Sequence, residues 1–239
     1  MYILTLFILL AIYFGIIYST KFMKRTGIFN VFFAIFPLIL YIPLVLIVYF
    51  DVGFNDWNFQ NVLPTANVSP FMSTICALFL VLPNKVKKYF ATVISFLSFG
   101  MLLSPIIGCI RNATIHYAFH PHFLLDYLAH IVLSAWGIYL VKTNQVVDTT
   151  KDRVISALFV PTIALIMLIL NVIFDTAFFG LNLHGKHSIY NVVFTSNSYV
   201  NAIVYFVGLF LIMLLGHFYT KYCAKALDAK FQKNNNNIK

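Results

Sequence analysis

A chain of 239 residues that is 61% hydrophobic and 10% charged, with a mean hydropathy of +0.88 and a formal charge of +9, carries far fewer charges than the roughly one quarter usual in soluble domains. That hydrophobicity excludes a disordered chain, three cysteines with no CxxC exclude a disulfide scaffold, and basic residues scattered between apolar runs exclude a nucleic-acid-binding face. The seven acidic residues are all aspartate, and carboxylates so scarce in an apolar chain are each candidates for function.

A bilayer core about 30 Å thick needs roughly 20 apolar residues per crossing helix. Seven stretches qualify: 2–20, 28–50, 63–83, 89–110, 123–141, 154–175 and 198–219. The first lacks a charged leader and is followed by Lys21, Lys24 and Arg25, the reverse of a secretory signal, so it reads as a retained helix. The third and fifth run through polar residues. Connections are short and no repeat is present, which predicts an all-α, polytopic membrane helical bundle of about seven transmembrane helices over 1–220, followed by a basic tail over 221–239.

Lysine and arginine set the expected orientation, because short loops rich in them stay cytoplasmic. Taken alternately, the loops with Lys21 to Arg25, Lys85 to Lys88 and Lys142 to Arg153 share a side with the C-terminal lysines. That places 14 of the 16 basic residues together and leaves Arg111 and Lys186 opposite. The N-terminus is therefore expected outside and the C-terminus in the cytoplasm, and the positive charge is explained without nucleic acid. Membrane lipids are the expected partners, and no cofactor is expected. Cys109 and Cys223 fall on opposite sides, which argues against a disulfide between them. Asn67-Val-Ser69 and Asn112-Ala-Thr114 fit the glycosylation pattern, which is common by chance.

On this topology the polar groups gather at the outer end. His116, His120, His122, His130, His184 and His187 lie there with Asp51, Asp56, Asp126 and Asp175. In the fifth run, His122, Asp126 and His130 are spaced by four, so the helical period stacks them on one face. Asp126 can orient the His130 ring through one nitrogen and leave the other as a base; the same pair can equally be a structural contact between helices. The third run opens Leu63-Pro64-Thr65-Ala66-Asn67-Val68-Ser69-Pro70, whose two prolines favour an irregular backbone. Asn171 and Asp175 end the sixth run on one face, and Asn201 opens the seventh. Together Thr65, Asn67, Ser69, Asp126, His130, Asn171, Asp175 and Asn201 are expected to line one outward-facing cavity, though interhelical hydrogen bonding alone would account for the Ser and Asn members. The spacing of His116, His120 and His122, with His184 and His187, also resembles a ligand set, but Pro121 interrupts it and no cysteine joins it.

The order of these features resembles the YwaF-like integral membrane proteins: Leu63 to Val68 (LPTANV), Phe99 to Gly108 (FGMLLSPIIG), His120 to Val141 and Phe174 to His187. That family is similar to a transmembrane acyltransferase of ether phospholipids and, more distantly, to androgen-induced hydrolases of fatty-acid esters. The resemblance implies a nucleophile on an early helix paired with a histidine on a later one, attacking a lipid ester. His130 matches the family's histidine. Where the family's helix-opening motif includes His and Cys after its proline, this chain has Thr65, Ala66, Asn67 and Val68, leaving Thr65 as the hydroxyl nucleophile and Ser69 as the fallback. Asn67 or Asn171 would donate to the oxyanion. Two other readings stand beside this one: a non-enzymatic small-molecule binder or transporter, and an outer-loop metal binder.

Overall fold

The computed structural model describes residues 2–23, 27–50, 68–112, 121–174, 176, 178–181 and 198–236. The chain is all-helical over these residues. Its α-helices are α1 (Tyr2–Thr20), α2 (Gly27–Phe50), α3 (Val68–Val81), α4 (Asn84–Asn112), α5 (Pro121–Lys142), α6 (Thr150–Phe174) and α7 (Ser198–Asn236), with a 3₁₀ turn at Phe178–Gly180. Each expected apolar run coincides with one of them. Five are long and apolar enough to cross a membrane, at Gly27–Ile47, Asn84–Cys109, Leu124–Lys142, Thr150–Phe174 and Tyr199–Asp228, whereas Leu4–Thr20 and Phe71–Val81 are shorter apolar helices.

Several helix ends differ from the hydropathy reading, for local reasons. α4 begins at Asn84 rather than 89, and so contains Lys85, Lys87 and Lys88; the carbonyl of Pro83 accepts the amides of Val86 and Lys87 at 2.9 and 3.0 Å and starts the helix ahead of the apolar run. α6 begins at Thr150 rather than 154. Thr149 caps it, its hydroxyl accepting the Asp152 amide at 3.1 Å and donating to the Asp152 carboxylate at 2.7 Å. The segment from Lys221, expected as a separate tail, continues α7 unbroken to Asn236.

α5 is the centre of the bundle and packs against α4, α2, α7 and α1. Every residue from His130 to Leu140 is buried, so this stretch of the helix is walled on all sides by protein. Trp136, 0% exposed, joins three helices: its ring meets Phe79 of α3 edge-on at 4.9 Å and stacks on Phe33 of α2 at 6.4 Å. Its indole N–H points to the Asn30 side-chain carbonyl at 3.4 Å. α4 lies between α5 and α7, and glycines allow both approaches. A β-carbon at Gly137 of α5 would fall on Ser98 and lie 3.1 Å from the Ser95 Cα, and one at Gly216 of α7 would fall on the Phe96 backbone, 2.7 Å from its carbonyl carbon. Small residues at such crossings are how helices pack closely in lipid.

The exterior is apolar. Leu4, Phe7, Phe14, Ile39, Ile169, Phe174, Ile203 and Phe218 are among the large hydrophobic side chains on the outer faces of α1, α2, α6 and α7. A continuous apolar exterior of this extent suits hydrocarbon, not water. Inside, five hydroxyls are satisfied locally: Thr92, Ser95, Ser98, Ser156 and Thr220 each donate to a carbonyl three or four residues back in the same helix. Their protons are committed to structure.

Three basic loops meet at one end. The Lys142 ammonium donates to the Thr20 carbonyl, the Val147 amide donates to Thr92 Oγ1 at 3.0 Å, Asn30 donates to Gln145 at 2.5 Å, and Tyr89 donates to Asp152 at 2.7 Å. Lys88 and Asp148 add an exposed ion pair at 3.5 Å. The loop alternation deduced from sequence is therefore matched by contacts that bring these loops to a common end.

Candidate functional site

His130 lies nine residues into α5, about 13 Å along it, and is 3% exposed. Its Nδ1 is 2.7 Å from the backbone carbonyl of Asp126. A carbonyl only accepts, so in the neutral ring Nδ1 carries the hydrogen and Nε2 keeps the lone pair. The Asp126 carboxylate stands farther off, with Oδ1 at 3.4 Å, and its side chain is 29% exposed. The expected orienting bond thus comes from the helix backbone one turn above and not from the carboxylate, because the i to i−4 spacing that stacks the side chains also brings the carbonyl against the ring. The outcome for the imidazole is the same: a fixed tautomer with the lone pair on Nε2.

The other expected residues are distributed as follows. Thr65, Asn67 and Asp175 lie outside the described residues, and so does the side chain of Ser69, which sits in the first turn of α3. Asn201, half-buried, is in the first turn of α7. His116, His120, His184 and His187 and the His122 side chain are likewise outside the described residues, and among those described no cluster of three or more His, Cys or Asp side chains is placed to hold a metal. All three cysteines are free thiols.

Asn171 corrects an expectation. It is 1% exposed, and its amide donates to the carbonyl of Phe178 at 2.9 Å and to that of Leu181, while its oxygen accepts the Thr176 hydroxyl at 2.9 Å and the Phe178 amide at 2.7 Å. Both hydrogens and both lone pairs are spent, so Asn171 is a clamp on the turn after α6 and has no donor left for an oxyanion or a substrate. The turn needs the clamp. Phe179 within it has φ 58° and ψ 19°, a left-handed conformation that a side chain makes unfavourable, offset by burial of its ring against Phe71 at 5.6 Å. Replacing Asn171 by alanine leaves several buried backbone groups without partners, each costing about 1–3 kcal/mol. The Asn171→Ala protein is expected to lose about 3 kcal/mol or more, read as a lowered unfolding midpoint in detergent; an unchanged midpoint would remove the clamp from this account.

One polar group had no sequence signal. Tyr205, one of 14 tyrosines, has a buried hydroxyl with no hydrogen-bond partner among the described residues. It sits one turn below Asn201 on the same face of α7, and seven residues into its helix it lies at a depth similar to that of His130. A buried orphan hydroxyl is uncommon and calls for a partner such as water or ligand.

A cavity of about 430 Å³ opens at the other end of the bundle, at the lysine-rich loops, with Asn30, Asn84 and Gln145 in its wall. Of the residues expected to line one outward-facing cavity, Asp126, His130, Asn171 and Asn201 have described side chains.

These features define a helical bundle of membrane-spanning character with a buried, tautomer-fixed imidazole in the half away from the lysine-rich loops. No family model, no curated protein and no solved structure matches the chain.

Proposed function

We propose that the protein is a YwaF-like multipass protein of the cell membrane, oriented with its lysine-rich end in the cytoplasm, that acts on a lipid ester with His130 as general base. The observation that carries this reading is the His130 ring, buried in the bundle and held through Nδ1 so that Nε2 is the basic atom. A charge-capable group kept inside apolar helices is costly and marks function by default. The orientation rests on the lysine and arginine bias.

In this reading Thr65 is the nucleophile. His130 Nε2 takes the hydroxyl proton as Thr65 Oγ1 attacks the ester carbonyl carbon, and the imidazolium returns that proton to the departing alcohol oxygen as the acyl–threonine forms. Water or a second alcohol, deprotonated by the same nitrogen, releases the acyl group. Asn67 and Ser69, beside Thr65 in sequence, are the candidate oxyanion donors.

The test is ester turnover by the purified protein in liposomes, with phospholipid and short-chain ester substrates. His130→Gln and Thr65→Ala are each expected to lower turnover on the order of 100-fold or more without moving the unfolding midpoint. Full turnover in both variants would sink the acyl-transfer reading. The cavity at the lysine-rich end favours a second reading, a small-molecule binder or transporter, in which solute flux survives His130→Gln.

A further inference from the structure

The cavity at the lysine-rich end is lined by cationic and amide side chains. It opens between the first turns of α2 and α4, the last turn of α3 and the chain just beyond α5. Asn30, Asn84, Lys87, Lys88 and Gln145 form its polar wall, the Phe79 ring lies on its apolar side, and among the described residues no carboxylate lines it.

The Asn30 and Gln145 amides each have one oxygen lone pair engaged and keep one hydrogen unused. Asn30 gives one amide hydrogen to Gln145 Oε1 at 2.5 Å while its own oxygen receives the Trp136 N–H. Gln145 in turn gives one hydrogen to Thr143 at 2.7 Å. Each amide has a second hydrogen to offer. The Lys87 ammonium, 5.7 Å from the Phe79 ring centroid, gives one of its three hydrogens to the Leu80 carbonyl at 3.3 Å. Lys88 pairs with Asp148 at 3.5 Å, but these side chains are 43% and 78% exposed, and so open a pair yields readily to a competing anion. Two helix N-termini, those of α2 and α4, converge on the same space, and neither has an acidic residue in its first turn. The positive ends of their dipoles add positive potential.

Position identifies the anion's source. The cavity lies at the level of the helix ends, where headgroups sit, and Val31 on its apolar side is 46% exposed on the outer face of α2. A soluble phosphate would use the polar wall alone. A phospholipid uses both, with its phosphate among the donors and its chains along α2. We propose that this cavity binds the phosphate headgroup of an anionic phospholipid, independently of any chemistry at His130. Basic pockets between helix ends are suited to such headgroups, and a volume of about 430 Å³ falls within the range of ligand sites.

The test uses the full-length protein in detergent, titrated separately with short-chain phosphatidylglycerol, phosphatidylcholine and inorganic phosphate, with bound lipid counted by native mass spectrometry. Phosphatidylglycerol is expected to bind about tenfold or more tightly than phosphatidylcholine. The K87Q/K88Q double variant is expected to weaken phosphatidylglycerol on the order of 30-fold and leave phosphatidylcholine unchanged. Lys85→Gln, in the same turn but outside the cavity wall, serves as the control and is expected to have no effect. Gln145→Glu keeps the oxygen that Asn30 needs, introduces a carboxylate, and is expected to weaken phosphatidylglycerol with both lysines intact; it carries the comparison if the double variant does not fold. Equal binding of the two lipids, or a Lys85→Gln loss as large as that of the double variant, would overturn the site. Displacement of phosphatidylglycerol by inorganic phosphate at similar concentration would overturn the lipid assignment.

Discussion

Gly216→Leu is expected to prevent the bundle from closing. A β-carbon at this position would land on the Phe96 backbone of α4, and backbone cannot rotate out of the way as a side chain can. α7 would have to move outward by the width of the new side chain, pulling Met213 and Leu209 from the core as it went. No hydrophobic force pulls the helices together again, because lipid tails solvate leucine as well as a protein interior does; association rests on close packing. Overpacking a core with movable neighbours costs about 1–3 kcal/mol, so a clash with immovable backbone is expected to cost about 3 kcal/mol or more, a shift on the order of 100-fold in the folded ratio. Gly208 on the same helix has nothing within 4 Å, and Gly208→Leu is expected to be nearly neutral. The comparison is made by thermal unfolding and gel-filtration profile in detergent. Equal behaviour of the two variants would show that α7 does not lie against α4 as described.

Trp136→Ala is the second large effect. The indole is fully buried between Phe33, Phe79 and the Asn30 amide, so removing it opens a void bordered by α2, α3 and α5 at once. Truncation of a buried tryptophan costs about 3–5 kcal/mol in well-packed proteins. Most of that loss is packing, since the N–H to Asn30 distance of 3.4 Å is long for a hydrogen bond. Trp136→Phe separates the two contributions: it keeps an aromatic against Phe79 and gives up only the N–H and the outer ring, and is expected to cost under about 1.5 kcal/mol. A Trp136→Ala protein that melts like the parent would show that the three helices are joined elsewhere.

How far the fold was legible from sequence depends on the kind of signal. Apolar runs located the seven α-helices among the described residues, because an apolar run satisfies its backbone away from water as a helix. The ends were misplaced where charge and helix overlap: Lys85, Lys87 and Lys88 lower hydropathy without interrupting backbone bonding, and Pro83 and Thr149 start their helices by hydrogen bonds that hydropathy does not register. At the site, the spacing of Asp126 and His130 gave their common face, since the helical period fixes it. It did not distinguish the Asp126 carbonyl from its carboxylate as the ring's partner. Asn171 was misread for a different reason. Its role depends on the chain doubling back at 176–181, where Phe179 turns left-handed, and neither event leaves a periodic trace. Tyr205 was invisible because burial without a partner is a property of packing alone.

Of the described helices, α7 is made last, and it packs against both α4 and α5. Translation runs at about 5–20 residues per second, so the interval between the emergence of Lys142 and that of Asn236 is on the order of 5–20 s. During it α4 and α5 are available to join at Gly137, whereas the Phe96 backbone that Gly216 will cover has no α7 over it and, in a membrane, is left to lipid chains. The closing event in biogenesis is therefore an exchange of lipid for helix at that strip, with no water to expel. Its driving force is the better fit of a glycine-bearing helix over mobile acyl chains, and the fit is available only once the C-terminal third of the chain has been inserted.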